Sequence, residues 1–161
     1  MNEDRLNLIK EKLSGYGAEF YDVNGTPGVI TTPENVVKVC ETLKNDSTIS
    51  FEQCRDAVSV DRFKKQNRFE VIYSLYSLAH RDRLFVKVLI PDVKNPATPS
   101  LTGLWNSVNW YEREAYDMMG IVFTGHPDMR RIYMPEEFEH YPLRKDFPLM
   151  GIPGSLPLPK K

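Results

Sequence analysis

Seven of the chain's twelve prolines stand beyond position 126, at 127, 135, 142, 148, 153, 157 and 159. Proline fixes φ and has no backbone N–H, so this stretch can form neither a helix nor a central strand. It must run extended. Its composition is not that of a flexible linker, because Ile132, Tyr133, Phe138, Tyr141, Phe147 and Leu149 recur through it. Burying each such side chain contributes about 1.5–3 kcal/mol. An extended apolar segment of this kind is suited to binding a partner. It can also wrap its own domain. We read residues 124–161 as an extended segment docking on a partner and residues 1–123 as the α+β domain that carries it.

Within 1–123 the hydrophobic period changes along the chain. Residues 3–14 place Leu6, Ile9 and Leu13 on one helical side, and Gly15 and Gly17 end the helix. Short strands are expected at Glu19–Val23 and Gly28–Thr32, around the turn Asn24-Gly25-Thr26-Pro27. Thr32 offers an N-cap and Pro33 a first helical position. The helix that follows carries Val36, Val39, Cys40 and Leu43 and stops near Asn45-Asp46-Ser47. From Phe51 the period is two. Strands are expected at Cys54–Val60, Arg68–Leu78 and Leu84–Ile90, the last two joined through His80-Arg81-Asp82. Pro91–Pro99 is a connection, Ser100 can cap a short helix near Leu101–Ser107, and a further helix spans Val108–Met119 with Gly120 as its C′ residue. The expected class is α+β: a small mixed or antiparallel sheet with flanking helices and a proline-rich C-terminal segment.

Charge excludes more than it suggests. The formal net charge of −1 gives no general attraction to nucleic acid or to an acidic membrane. Residues 1–60 carry a net of −4 and residues 61–161 a net of +3, so the two halves suit different neighbours. Two cysteines, Cys40 and Cys54, are too few and too far apart for a metal or iron–sulfur set and read as reduced thiols. The start, Met-Asn-Glu-Asp-Arg, does not resemble a signal peptide. The longest apolar run, Leu84–Ile90, is broken by Lys87 and too short to cross a bilayer.

Chemistry concentrates in residues 110–131. On the 108–119 helix, Val108, Tyr111, Ala115, Met118 and Met119 make an apolar stripe. Arg113 and Asp117 lie opposite it, four apart, and can pair along the exposed face. Glu112 borders the stripe, so it is expected to be partly buried and to pair with Arg130 or Arg131. Glu112, Asp117 and His126 could serve a stand-alone acid–base enzyme, but Arg113 between Glu112 and Glu114 favours a structural network. His126 and Asp128, with His140 or Glu139, fit no known ligand spacing, and a turn set by Pro127, with Asp128 accepting from backbone amides, explains them better. Arg144 and Asp146 are a further candidate pair, and His80 reads as a solvated loop residue. The glycine-rich nucleotide motifs are absent from the sequence.

Glu112-Arg113-Glu114-x-x-Asp117-Met118-Met119, followed by His126, Arg130, Arg131 and Ile132, closely resembles the signature of the 30-kilodalton subunit family of respiratory complex I. Tyr141-Pro142-Leu143-Arg144-Lys145-Asp146-Phe147-Pro148 is similar to that family's C-terminal motif, as is Pro99-Ser100 leading into Leu104-Trp105 and Asn109-Trp110. The resemblance implies a structural subunit of the hydrophilic arm of a proton-translocating NADH:quinone oxidoreductase. It implies a peripheral place on the cytoplasmic side of the inner membrane, which the chain reaches only through the complex. Its expected neighbours are the subunit with the terminal iron–sulfur cluster and the large subunit of the quinone cavity. Iron–sulfur clusters, flavin and quinone would belong to those partners, and this chain would hold no cofactor and no catalytic residue. Glu112, Arg113, Glu114, Asp117, His126, Asp128, Arg130, Arg131, Arg144, Lys145 and Asp146 would then be structural or interface residues. The same resemblance extends to equivalent subunits of coenzyme-F420-, ferredoxin- or hydrogenase-linked membrane complexes.

Overall fold

The computed structural model describes residues 1–152. Helix α1 spans Glu3–Leu13 and is capped by Asn2, whose side chain accepts from the Arg5 N–H at 3.0 Å. A single 3₁₀ turn, Ser14–Tyr16, ends at Gly17. Strands β1 (Glu19–Val23) and β2 (Thr26–Thr31) form a hairpin closed by Asn24 and Gly25, both at positive φ. This is the two-residue turn whose twist matches paired strands. Pro27 lies in β2 rather than in the turn. It is tolerated there because pairing of β2 with the next strand begins only at Gly28.

Helix α2 runs Val36–Asn45, starting later than Thr32-Pro33 suggested. The Thr32 carbonyl accepts from both the Asn35 and Val36 N–H groups, so Pro33 opens a turn that leads into the helix. Strands β3 (Gln53–Asp61), β4 (Phe69–Ser77) and β5 (Asp82–Ile90) follow. The five-stranded sheet has the order β1-β2-β5-β4-β3, with β2–β5 parallel and the other pairs antiparallel. Val71, Tyr73 and Leu75 of β4 and Leu84, Val86, Val88 and Ile90 of β5 form one core with Ile9 and Leu13 of α1 and Val36, Val39, Cys40 and Leu43 of α2.

Two elements escape the sequence pattern. Ala97–Pro99 is strand β6 and Val122–Thr124 is strand β7, paired in parallel as a second small sheet. Three residues are too few to show a period. Residues 101–107 are turns rather than a helix, although the Ser100 hydroxyl accepts from the Thr102 N–H at 3.1 Å as a cap would while donating to Glu112 at 2.5 Å. Helix α3, Val108–Met119, crosses from β6 to β7. It is tied to edge strand β3 by hydroxyls: Ser107 donates to the Cys54 carbonyl at 2.7 Å and Tyr111 to that of Arg55 at 3.2 Å. Among the described residues no helix is long and apolar enough to cross a membrane.

Residues 125–152 form no helix or strand but are well tied to α3. The last four carbonyls of a helix lack internal partners. Here Gly120 N–H donates to Tyr116 at 2.8 Å, the Arg131 guanidinium to Asp117 at 3.0 Å, Leu143 N–H to Met118 at 3.1 Å and the Arg144 guanidinium to Met119 at 2.7 Å. Two arginines thus sit at the negative end of the helix dipole. Gly120 makes the approach possible. It sits at φ 69°, and a Cβ there would lie 2.5 Å from the Tyr141 ring and 2.6 Å from Arg144. Gly120→Ala should therefore cost at least about 1–2 kcal/mol from its left-handed backbone alone, and more from displacing Tyr141. In thermal unfolding each kcal/mol lowers Tm by about 2–4 °C in a chain of this size. An unchanged Tm would mean that the segment does not pack here.

Candidate functional site: a buried charge network on helix α3

Helix α3 carries three charged groups into the interior: Glu112 and Asp117 at 0% exposure and Arg113 at 8%. Each is held differently. Glu112 lies beneath the Ser100–Leu101 turn. Its carboxylate accepts from the Tyr73 hydroxyl at 3.3 Å, the Ser100 hydroxyl at 2.5 Å and the Leu101 N–H at 2.8 Å. All three donors are neutral. Burial pushes the Glu112 carboxyl above its ordinary range despite these bonds. The expected pair from Glu112 to Arg130 or Arg131 is not formed. A helical side chain leans toward its own N-terminus, which aims Glu112 at Ser100 and Tyr73. The arginines enter at the other end of the helix.

Arg131 meets Asp117, five residues or about 7.5 Å further along the helix than Glu112. One carboxylate oxygen of Asp117 accepts from the Arg131 guanidinium at 2.7 Å. The other accepts three successive backbone N–H groups, from Ile132 at 3.0 Å, Tyr133 at 2.6 Å and Met134 at 3.0 Å. Burial raises the Asp117 pKa, but these N–H groups and Arg131 together hold it below the usual value. The expected exposed pair of Arg113 with Asp117 is replaced. The face opposite the apolar stripe is covered by residues 126–134, a covering that a helical wheel cannot show. Arg113 donates to the Arg130 carbonyl at 3.0 Å, lies 3.7 Å from Asp128 and stacks 4.7 Å from the centre of the Trp110 ring.

His126 and Asp128 close the network. The Asp128 N–H donates to His126 Nδ1 at 3.0 Å, so that nitrogen carries no proton, and Nε2 donates to the Asn109 carbonyl at 3.2 Å. The Asp128 carboxylate binds Arg130 in bidentate fashion, at 2.7 and 2.8 Å, rather than accepting from backbone amides. Glu114 is exposed beside the groove between α3 and β3. His80 is exposed at the β4–β5 connection.

A second cluster fastens residues 138–148. Asp61 accepts from Arg68 at 2.9 and 2.7 Å, from Phe63 N–H at 2.8 Å and from Lys145 N–H at 2.9 Å. Burial pushes this carboxyl up, but Arg68 and the two N–H groups hold it down at about 2. Asp146 pairs with Arg68 at 2.9 Å, not with Arg144 as expected. Arg144 instead stacks between Phe69 at 5.0 Å and Tyr141 at 4.4 Å. Arg131 continues the stack over Tyr141 and Phe138. Tyr73, Ser100, Asp61 and Arg68 are network members that sequence reasoning did not single out. The signal for the last two was charge at the ends of apolar strands facing one another across the β3–β4 connection. Cys40 and Cys54 are free and buried, and burial pushes the Cys54 thiol up to about 12.

The two carboxylates should respond unequally to neutralisation. Asp117→Asn leaves the buried Arg131 uncompensated and should cost about 3–5 kcal/mol. Glu112→Gln meets no cation and should cost only about 1 kcal/mol, the net worth of a hydrogen bond. Urea unfolding of the two variants checks the ranking, and equal losses would contradict it. His126 supplies a pH test. Burial, with Arg113 nearby, depresses its pKa below 6.5, against the raising effect of its bond to Asn109. Below 6.5 the unfolded chain binds a proton that the folded chain refuses, so stability is full above this value and lost as pH falls through it. Between about pH 7.5 and 5.5 the wild type should lose stability relative to His126→Gln. A gap independent of pH would mean that His126 is not held neutral.

The surroundings of this network have relatives. Residues 29–153 match the family model described as respiratory-chain NADH dehydrogenase, 30 Kd subunit. A subunit of the NADH-quinone oxidoreductase of Rhizobium meliloti (strain 1021) is 46% identical over 159 residues, covering 97% of this chain and 86% of that protein. Its counterpart from Rhizobium etli (strain CIAT 652) is 48% identical over 124 residues, covering 77% of this chain and 65% of that protein. Among solved structures, the trypsin-resistant fragment (1-134) of Nqo5 superposes with a TM-score of 0.65 at 33% identity, over 77% of this chain and 98% of the fragment. The family model takes in all of α3 and both clusters around it, and with relatives above 45% identity the chain belongs to the respiratory-chain NADH dehydrogenase 30 Kd subunit family.

Proposed function

We propose that the chain is a cofactor-free structural subunit in the hydrophilic arm of a proton-translocating NADH:quinone oxidoreductase, where it supports the quinone-reducing module. It contributes to the enzyme's activity as part of the complex and supplies no catalytic residue. Its neighbours are the subunit that holds the terminal iron–sulfur cluster and the large subunit of the quinone cavity, and it sits peripherally on the cytoplasmic side. The observation that carries this reading is the commitment of the signature's charged groups to each other. Glu112 is enclosed by three donors, Asp117 by four, and His126 is bonded at both nitrogens. A general acid or base needs a free face toward substrate. These groups face the chain's own side chains and backbone.

Residues 124–161 serve as the docking segment in this reading. Residues 153–161 lie outside the described residues; the inner side of residues 124–152 holds α3, while Tyr133, Leu143, Leu149 and Met150 are exposed. Large apolar side chains grouped on one segment are suited to a protein interface. The trypsin-resistant Nqo5 fragment, which aligns with 77% of this chain, supports a division into a compact unit and a separate segment.

The decisive measurement separates assembly from turnover. Asp117→Asn should lower the amount of assembled complex through the stability it removes, with quinone reductase activity per assembled complex unchanged. An acid–base role predicts normal assembly and turnover about a hundredfold slower, the scale of a lost proton-transfer group. That second outcome would overturn the structural reading.

A further inference from the structure

The β3–β4 connection and the C-terminal segment meet at one end of the molecule. Residues 62–67 are all exposed, and Phe63 among them is 61% exposed at φ 53°. A bulky aromatic rarely adopts this left-handed conformation and holds it only where its surroundings impose it. Here the Phe63 N–H is bound by Asp61 and its ring lies 5.3 Å from the Arg68 guanidinium. Asp61 also binds the Lys145 N–H, which brings residues 142–149 alongside the loop.

The charges at this junction do not balance. Of the acids at this junction, Asp61 and Asp146 are taken by Arg68 and Glu70 by Arg62, and Glu139 lines an adjoining cleft that Arg144 also borders. Lys64, Lys65, Arg144 and Lys145 remain, and among the described residues none of these four makes an ion pair. Arg144 gives its Nε–H to the Met119 carbonyl, and burial pushes its guanidinium pKa down. Beside it opens a cleft of about 570 Å³ lined by Pro142, Arg144, Lys145, Phe147, Pro148 and Leu149. Leu149 is fully exposed at its rim. A cleft with an apolar lining and two cations, next to two further lysines and a presented aromatic ring, complements one chemistry: carboxylates spaced along an apolar segment.

We propose that this face, formed by residues 62–67 and 142–149, is the binding site for an acidic, apolar-containing segment of a neighbouring subunit. Its carboxylates pair with Lys64, Lys65, Arg144 and Lys145, and its apolar side chains enter the cleft beside Phe147 and Leu149. The inference rests on the chain being a subunit of a larger complex. It goes beyond that reading by naming the docking face and the partner's charge. It also gives a reason for the excess of positive charge in residues 61–161.

Zero-length carbodiimide cross-linking of the intact complex tests it, because this reagent joins only an amine and a carboxylate in direct contact. Lys64, Lys65 or Lys145 should couple to an Asp or Glu of another subunit. Coupling confined to this chain's own carboxylates, its C-terminal carboxylate included, would overturn the proposal. So would failure of all three lysines to couple. The combined Lys64→Glu, Lys65→Glu and Lys145→Glu variant should wash out of the complex at lower salt than the wild type, while the free chain keeps its melting temperature. Retention at wild-type salt would overturn the proposal. Sedimentation of the wild-type chain, and not the triple variant, with vesicles of anionic phospholipid, without cross-links to a subunit, would assign the face to a membrane and overturn it as well. A wild-type chain purified with no other subunits would fail the subunit reading itself. A chain present in the complex but uncoupled at these lysines would fail this inference alone.

Discussion

Four orphaned carbonyls at the end of α3 organise half of this molecule. A helix that stops inside a protein must find donors for its last turn. In this chain three of those donors come from a segment whose prolines bar it from making its own regular hydrogen bonds. Leu143 N–H, Arg131 and Arg144 supply three of the four, and Gly120 N–H supplies the other. Each net bond is worth about 0.5–1.5 kcal/mol, but an unmet buried carbonyl would cost more. Helix and segment therefore need each other. Gly120 decides whether they can meet, since any Cβ at that point would occupy the space of Tyr141 and Arg144.

Asp117 adds the second hold. Three successive N–H groups converging on one carboxylate oxygen, with an arginine on the other, form a site built for fixed negative charge. Glu112, one and a half turns earlier, sits among neutral donors and is eased by protonation. Two buried acids on one helix thus have opposite preferences, a pattern that elsewhere marks acid–base catalysis. Here they face different elements. The opposition reflects what each fastens: Glu112 joins α3 to the sheet through Tyr73 and to the β6 exit through Ser100, and Asp117 joins α3 to the segment. A stack of Arg68, Phe69, Arg144, Tyr141, Arg131 and Phe138 continues that fastening back to β4.

The legibility of the chain follows the range of the forces involved. The α1 core residues, the β1–β2 hairpin, β3 to β5 and all of α3 with Gly120 at its end could be read from periodicity and turn chemistry, because these depend on neighbours a few residues away. The start of α2 was misplaced by a few residues, since a proline turn can precede a helix as readily as begin one. Strands β6 and β7 were invisible, because three residues carry no period and their pairing joins residues 97–99 to 122–124. Membership of the charge network was legible: Glu112, Arg113, Asp117, His126, Asp128, Arg130 and Arg131 all take part. Their partners were not.

By itself, the sequence determined which groups must be satisfied: a buried glutamate, a helix end marked by glycine, and a segment that cannot satisfy its own backbone. The tertiary structure decided who satisfies them. The direction in which helical side chains lean sent Glu112 to Tyr73 and Ser100, 39 and 12 residues away in sequence. The path of the segment over the far side of α3 then turned an expected solvent face into a buried one and gave Arg131 to Asp117. Such choices depend on where separate elements come to rest against one another, and no local pattern of residues encodes that position.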